Sequence, residues 1–161
     1  AAPTFQAAGG GFTLGTEQAT TSGTSVTFNS IPSGTTMIVV MFEGVSWTGG
    51  TARTLTIGDS GGLETSGYVS EGAMAFTGGD FITTTSDFAI ATAGGGAALH
   101  SLGLLSLKDS TNNTWVWQFL TRVETTSMSL ASGSKSLSGE LTQLSVAGGT
   151  FDAGSINISY Q

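Results

Sequence analysis

Residues 98–121 constrain the fold more than any other stretch of the chain. Residues 98–107 and 114–121 alternate in polarity and are joined by Lys108-Asp109-Ser110-Thr111-Asn112-Asn113, a run rich in turn formers. Alternation with a period of two marks a half-buried strand, and two such runs around a turn read as an antiparallel hairpin. On the return run Trp115, Trp117 and Phe119 share one face, while Val116, Gln118 and Leu120 take the other. Two tryptophans two residues apart on a strand lie side by side, and in a sandwich such a face is core.

The rest of the chain repeats this pattern. Val26 and Phe28 alternate with hydroxyl residues, and Ile31-Pro32-Ser33-Gly34 is a turn. Residues 37–47 give the strongest strand, apolar on both faces in its first half, which predicts a central strand covered on both sides. Gly44 marks a bulge or bend within it. Thr48-Gly49-Gly50-Thr51 is a turn, and Leu55 and Ile57 point inward from the next strand. Residues 58–67 read as a long glycine-rich loop and residues 68–76 as a strand or irregular segment. A turn at Gly78-Gly79-Asp80 precedes one strand over residues 81–90, and Gly94-Gly95-Gly96 breaks the chain. Residues 122–134 read as a weaker strand and a Ser/Gly turn. Residues 140–146 and 155–160 are two last strands around a Gly-Gly-Thr-Phe-Asp-Ala-Gly loop. The expectation is an all-β fold of eight to ten short strands without substantial helix: an antiparallel β-sandwich, jelly-roll-like. No fixed period supports a propeller or solenoid.

At 161 residues the chain is expected to form one domain. Residues 1–20 read as an extended arm with a short strand near 11–15 and Phe5, Phe12 and Leu14 as anchors, packed on a neighbour or on its own surface. Residues 21–161 form the sandwich, whose last strand runs to the final residue. The chain has no cysteine, so disulfides and thiolate metal sites are excluded. Only 9% of residues are charged and the mean hydropathy is +0.20, so either other copies or a partner cover the surface, or hydroxyls supply its polarity. The net charge of −7, with no basic cluster, argues against nucleic acid and anionic membranes as partners. Ala1-Ala2-Pro3-Thr4-Phe5-Gln6 lacks the positive start of a signal peptide, and no apolar run is long enough to span a bilayer.

Chemistry is sparse. Gly58-Asp59-Ser60-Gly61-Gly62 matches the nucleophile string of chymotrypsin-like proteases, but that mechanism needs a histidine base and an orienting aspartate. The sole histidine, His100, follows the serine, the reverse of that family's order, and reads as structural. Asp59 and Ser60 read as turn residues bonding their own backbone. Asp109 with Asn112 or Asn113 is the best calcium cluster, although no D-x-D spacing supports it. No catalytic, cofactor-binding or metal-binding residue is assigned, and the chain reads as a non-enzyme.

Several segments in order resemble a β-domain of tailed-bacteriophage virion proteins. They are Thr21-Ser22-Gly23-Thr24-Ser25-Val26-Thr27-Phe28 with Ile31-Pro32-Ser33-Gly34; Val39-Val40-Met41-Phe42-Glu43-Gly44-Val45-Ser46; Gly58-Asp59-Ser60-Gly61-Gly62-Leu63-Glu64-Thr65-Ser66-Gly67-Tyr68; Asn113-Thr114-Trp115-Val116; Gly133-Ser134-Lys135-Ser136-Leu137-Ser138-Gly139-Glu140-Leu141; and Gly149-Thr150-Phe151-Asp152-Ala153-Gly154-Ser155-Ile156-Asn157-Ile158-Ser159-Tyr160. The resemblance implies a virion structural protein, usually a trimeric β-sandwich without catalytic residues. The absence of a shaft or coiled-coil heptads favours a capsid decoration (cement) protein that bridges subunits of the major capsid protein, made in the host cytoplasm and carried on the capsid surface. The alternative is a receptor-binding or adhesion module of a tail or head fibre, with Trp47, Tyr68 or the Trp115/Trp117 pair stacking on host surface glycan.

Overall fold

Turns rich in Gly, Ser, Thr and Asn cut the chain into short extended runs, and pairing between those runs satisfies their backbone groups. The computed structural model describes residues 11–49, 52–75, 81–91, 97–123 and 127–161. Among these are fourteen strands and no helix: β1 (Thr13–Leu14), β2 (Gln18–Ala19), β3 (Ser25–Phe28), β4 (Met37–Thr48), β5 (Arg53–Asp59), β6 (Gly62–Leu63), β7 (Tyr68–Ala75), β8 (Phe81–Thr84), β9 (Phe88–Ala91), β10 (Leu99–Asp109), β11 (Thr114–Val123), β12 (Ser127–Ser136), β13 (Gln143–Ala147) and β14 (Thr150–Tyr160). Nine strands form the larger sheet, in the order β1-β14-β4-β10-β11-β12-β7-β8, with β2 also on β14. Five form the smaller, in the order β3-β13-β5-β6, with β9 also on β5. The two antiparallel sheets enclose one core, so the fold is the expected β-sandwich. The surplus over eight to ten strands comes from the two-residue pairs β1, β2 and β6 and from a division within residues 81–90.

The β10–β11 hairpin delivers Trp115, Trp117 and Phe119 to the core, all nearly or fully buried. A chain of ring contacts runs from Tyr68 to Phe88 (4.9 Å), Trp117 (6.1 Å), Phe119 (5.7 Å) and Phe42 (5.4 Å). Gly103 on β10 makes room for this stack. A Cβ there would lie 2.1 Å from the Trp117 ring.

The bulge expected at Gly44 is present and solves a parity problem. In β4 the inward residues are Ile38, Val40 and Phe42, then Val45 and Trp47. One extra residue moves the buried set from even to odd positions. Gly44 takes φ +61, and the pairing with both β10 and β14 shifts register there. Gly154 on β14 follows with φ +90, so close that a Cβ would lie 2.5 Å from the Gly44 backbone.

The structure corrects several expectations. Residues 58–67 contain a tight β5–β6 hairpin rather than only loop. Residues 81–90 divide: β8 pairs with β7 in the large sheet, whereas β9 pairs with β5 in the small one. The division falls at Thr85-Ser86-Asp87, where the Asp87 carboxylate accepts bonds from the Thr84 and Ser86 hydroxyls. Residues 122–134, expected as a weaker strand and a turn, hold the end of β11 and most of a ten-residue strand, β12, inside the large sheet. It looks weak because its inward residues Ser129, Ala131 and Gly133 are small. A Cβ on Gly133 would come within 2.9 Å of the Phe88 ring. Thr150 and Phe151, expected in a loop, already belong to β14. The turns expected at 78–80 and 94–96, the Gly50-Thr51 half of the turn at 48–51, and the anchor Phe5 lie outside the described residues.

Polar side chains tie the sheets together. The Tyr68 hydroxyl on β7 accepts from Ile57 N–H (2.9 Å) and donates to Ile57 C=O (3.1 Å) on β5. The Trp117 indole donates to Ala89 C=O (3.0 Å), and Ala89 N–H donates to the Ser70 hydroxyl (3.0 Å). Thus β9, a strand of the small sheet, is bonded from both its C=O and N–H to side chains of the large one.

Candidate functional site

The groups singled out for chemistry are occupied by structure. Asp59 Oδ1 accepts the Gly61 N–H (2.7 Å), closing the β5–β6 turn. His100 stands on β10 of the other sheet, where its Nδ1 accepts the Gly44 N–H (3.3 Å) at the bulge. Asp109 accepts from the Asn112 side chain (2.8 Å), Thr111 N–H (2.9 Å) and Asn112 N–H (3.3 Å), and these bonds hold its carboxyl below the usual range. Both its oxygens therefore serve the turn. Among the described residues no group of three or more His, Cys, Asp or Glu could hold a metal ion. Among the same described residues no helix is long and apolar enough to cross a membrane.

The aromatic residues expected to stack on glycan are instead core. Trp47 and Trp117 have no exposed surface, and Tyr68 and Trp115 are 2% exposed. Trp47 packs on Phe151 at 5.0 Å and under the Arg53 guanidinium at 4.8 Å. Composition showed aromatic groups among turns, but burial depends on which sheet face meets the other sheet.

Two of the four basic residues are also interior. Arg53 is fully buried, and burial draws its guanidinium below the ordinary value while Asp152 opposes that shift. Lys135 is buried beside the Tyr68 ring, paired with Glu64 and bonded to Ser136 C=O (2.7 Å). The exposed basic side chains are thus Lys108 and Arg122 alone.

What remains exposed and distinctive is the outer face of the large sheet. Residues opposite one another across antiparallel strands point to the same side. The register aligns Asn157 (β14), Met41 (β4), Leu102 (β10), Leu120 (β11), Leu130 (β12), Ala73 (β7) and Phe81 (β8) in one row across seven strands. Phe81 is 84% exposed, and Leu102, Leu120 and Leu130 are each more than half exposed. The adjoining row runs Leu14, Ser159, Val39, Leu104, Gln118, Ser132, Glu71 and Thr83. Between the rows lies a shallow depression of about 460 Å³, lined by Leu102, Leu104, Leu120, Leu130, Gln118 and Ser132. The row is apolar from Met41 to Phe81, with exposed Glu71 beside it in the adjoining row and exposed Arg122 two residues along β11 from Leu120. An exposed apolar row marks a candidate interaction site.

Residues 11–20 extend this face. β1 and β2 lie along β14, with Gly15 N–H bonded to Ile158 C=O (2.7 Å) and Thr20 N–H to Gly154 C=O (2.9 Å). Phe12 and Leu14, expected as anchors, are 48% and 65% exposed, so backbone pairing rather than apolar packing holds this segment. The sequence did carry a signal for the face: residues 37–41 are apolar on both sides, as in a strand covered twice. Among the described residues only the inner side is covered. The outward Met37, Val39 and Met41 stay partly exposed.

Comparison with protein-family models, curated protein sequences and solved structures gives no match.

Proposed function

We propose that this chain is a non-catalytic structural component of a bacteriophage virion: a homotrimeric decoration protein on the capsid surface. The observation that supports the reading best is the apolar outer face of the large sheet, on a molecule in which Asp59, His100 and Asp109 are taken up by turns and a bulge. The ordered segments from Thr21 to Tyr160 that resemble phage virion β-domains support it independently. The action is mechanical. Trimers bridge neighbouring subunits of the major capsid protein, burying apolar and hydroxyl surface and holding the shell against the pressure of packaged DNA. Synthesis in the host cytoplasm and assembly onto the head follow from that role.

Electron cryo-microscopy of particles carrying a labelled copy tests the reading. Density at regular positions on the head is the expected result. Density on the tail alone would replace it with the fibre or adhesion reading, for which exposed aromatic residues at the expected positions are lacking.

A further inference from the structure

We propose that one open edge of the sandwich binds a neutral saccharide, in the cleft between β3 and the segment that carries β1 and β2. The inference goes beyond the structural role proposed above and does not depend on it.

The cleft arises from the way the two sheets end. β3 is an edge strand of the small sheet, and β1 and β2 lie along β14 at the edge of the large one. Between these edges is a cleft of about 430 Å³, within the range of small-molecule sites. Thr16 and Gln18 border it from the large sheet, and Thr27, Asn29 and Ser30 from the β3 side. Tyr160 of β14, half-buried, adds an aromatic wall.

Three features point to a ligand and to its class. The first is that the polar groups are uncommitted. Asp59, His100 and Asp109 each serve a turn or the bulge. In the cleft only Thr27 is engaged, sharing a bond with the Ser145 hydroxyl (2.9 Å). The side chains of Thr16, Gln18, Asn29, Ser30 and Tyr160 make no hydrogen bond to any described residue. Hydroxyls and amides both donate and accept, as sugar hydroxyls do.

The second feature is charge. No residue lining the cleft is charged. Glu17, between Thr16 and Gln18, instead accepts a bond from the Ser155 hydroxyl (2.9 Å). A cation finds no carboxylate in the lining, and an anion meets a chain of net charge −7. A neutral ring with hydroxyls at its rim and a C–H face for Tyr160 fits both limits.

The third is backbone strain. Ser30 has φ +63, a left-handed conformation that serine seldom adopts, and its hydroxyl gains no bond in return. Strain of this kind gathers at ligand clamps.

The test is titration of the isotope-labelled chain with glucose, galactose, mannose and N-acetylglucosamine, followed by amide chemical shifts. At least one should bind with a dissociation constant of about 1–10 mM. The shifts should centre on residues 14–18, 27–31 and 158–160. Glucuronate, the anionic counterpart of glucose, should bind at least about tenfold more weakly than the best neutral sugar. Gln18→Ala and Asn29→Ala, at exposed positions, should each weaken binding about threefold to tenfold with unchanged circular dichroism. Ser30→Gly separates the site from the scaffold, because glycine takes a positive φ without strain. Its thermal midpoint should hold or rise while binding falls about threefold or more. The site is overturned if no neutral sugar moves the cleft amides, if the shifts centre elsewhere, or if glucuronate binds equally well. Wild-type affinity in Asn29→Ala and Ser30→Gly overturns it too. None of these outcomes decides where the protein sits in a particle, which labelled particles report separately.

Discussion

At the scale of single residues, glycines and one ion pair decide more than the chemistry-bearing groups do. Gly103 leaves the space that the Trp117 ring fills. Gly103→Ala should cost about 1–3 kcal/mol through overpacking, measured as a shift of the denaturant midpoint at unchanged slope. Glu64 is the residue to watch in acid. Burial works to raise its pKa, but the bonds from Lys135 and from Ser138 N–H (2.6 Å) outweigh it and hold the carboxyl below its ordinary value. Glu140 is lowered in the same sense by Gly34 N–H (2.6 Å) and the Ser33 hydroxyl. A carboxyl depressed in the folded state stabilises fully above its unfolded pKa, about 4.3. That contribution is lost as pH falls through the lowered folded value. Thermal stability should therefore drop below about pH 4. Glu64→Gln should flatten part of that slope and, by leaving buried Lys135 without its carboxylate, cost about 1–3 kcal/mol at pH 7. The inward series Trp115, Trp117 and Phe119 was legible from alternation alone. The burial of Trp47 and Tyr68 was not, because Trp47 lies beyond a bulge that inverts parity and Tyr68 follows a loop that fixes no register.

At the scale of elements, the paired bulges of β4 and β14 and the Tyr68 bridge are the sensitive points. Gly154→Ala would put a methyl group into the Gly44 backbone at a φ that L residues avoid. It should destabilise by about 1–3 kcal/mol or more, with loss of the near-ultraviolet signal of Trp47 as the readout. Tyr68→Phe removes the hydroxyl that meets both polar groups of Ile57 and should cost about 1–3 kcal/mol without changing the strand content. The elements most legible in sequence were those with local pairing. The β10–β11 hairpin and the Ile31–Gly34 turn sit where the residues placed them, the latter with Gly34 at φ +81. The division of residues 81–90 was illegible, because Thr83, Thr84 and Thr85 suit a strand as well as a corner and the choice is made by distant partners on β7 and β5. β12 was underestimated for a related reason. Its small inward residues accommodate other strands' aromatic rings, so its own hydrophobic signal is faint.

At the scale of the whole molecule, residues 37–41 are apolar on both faces, and among the described residues nothing covers their outer side. With Arg53 and Lys135 interior, the surface is more one-signed than the net charge of −7 suggests. In the proposed trimer, copies of this acidic chain repel one another. Raising salt from about 20 mM to about 500 mM should therefore lower the dissociation constant severalfold, as sedimentation equilibrium would show. The β9 clasp has a separate consequence. Because Ala89 is held by Trp117 and Ser70 across the core, the five-stranded sheet cannot peel away and leave the other intact. The sandwich should open as one cooperative unit, with a single transition by every probe. In hydrogen exchange, the Ala89 amide should belong to the slowest class, exchanging only when the entire domain unfolds.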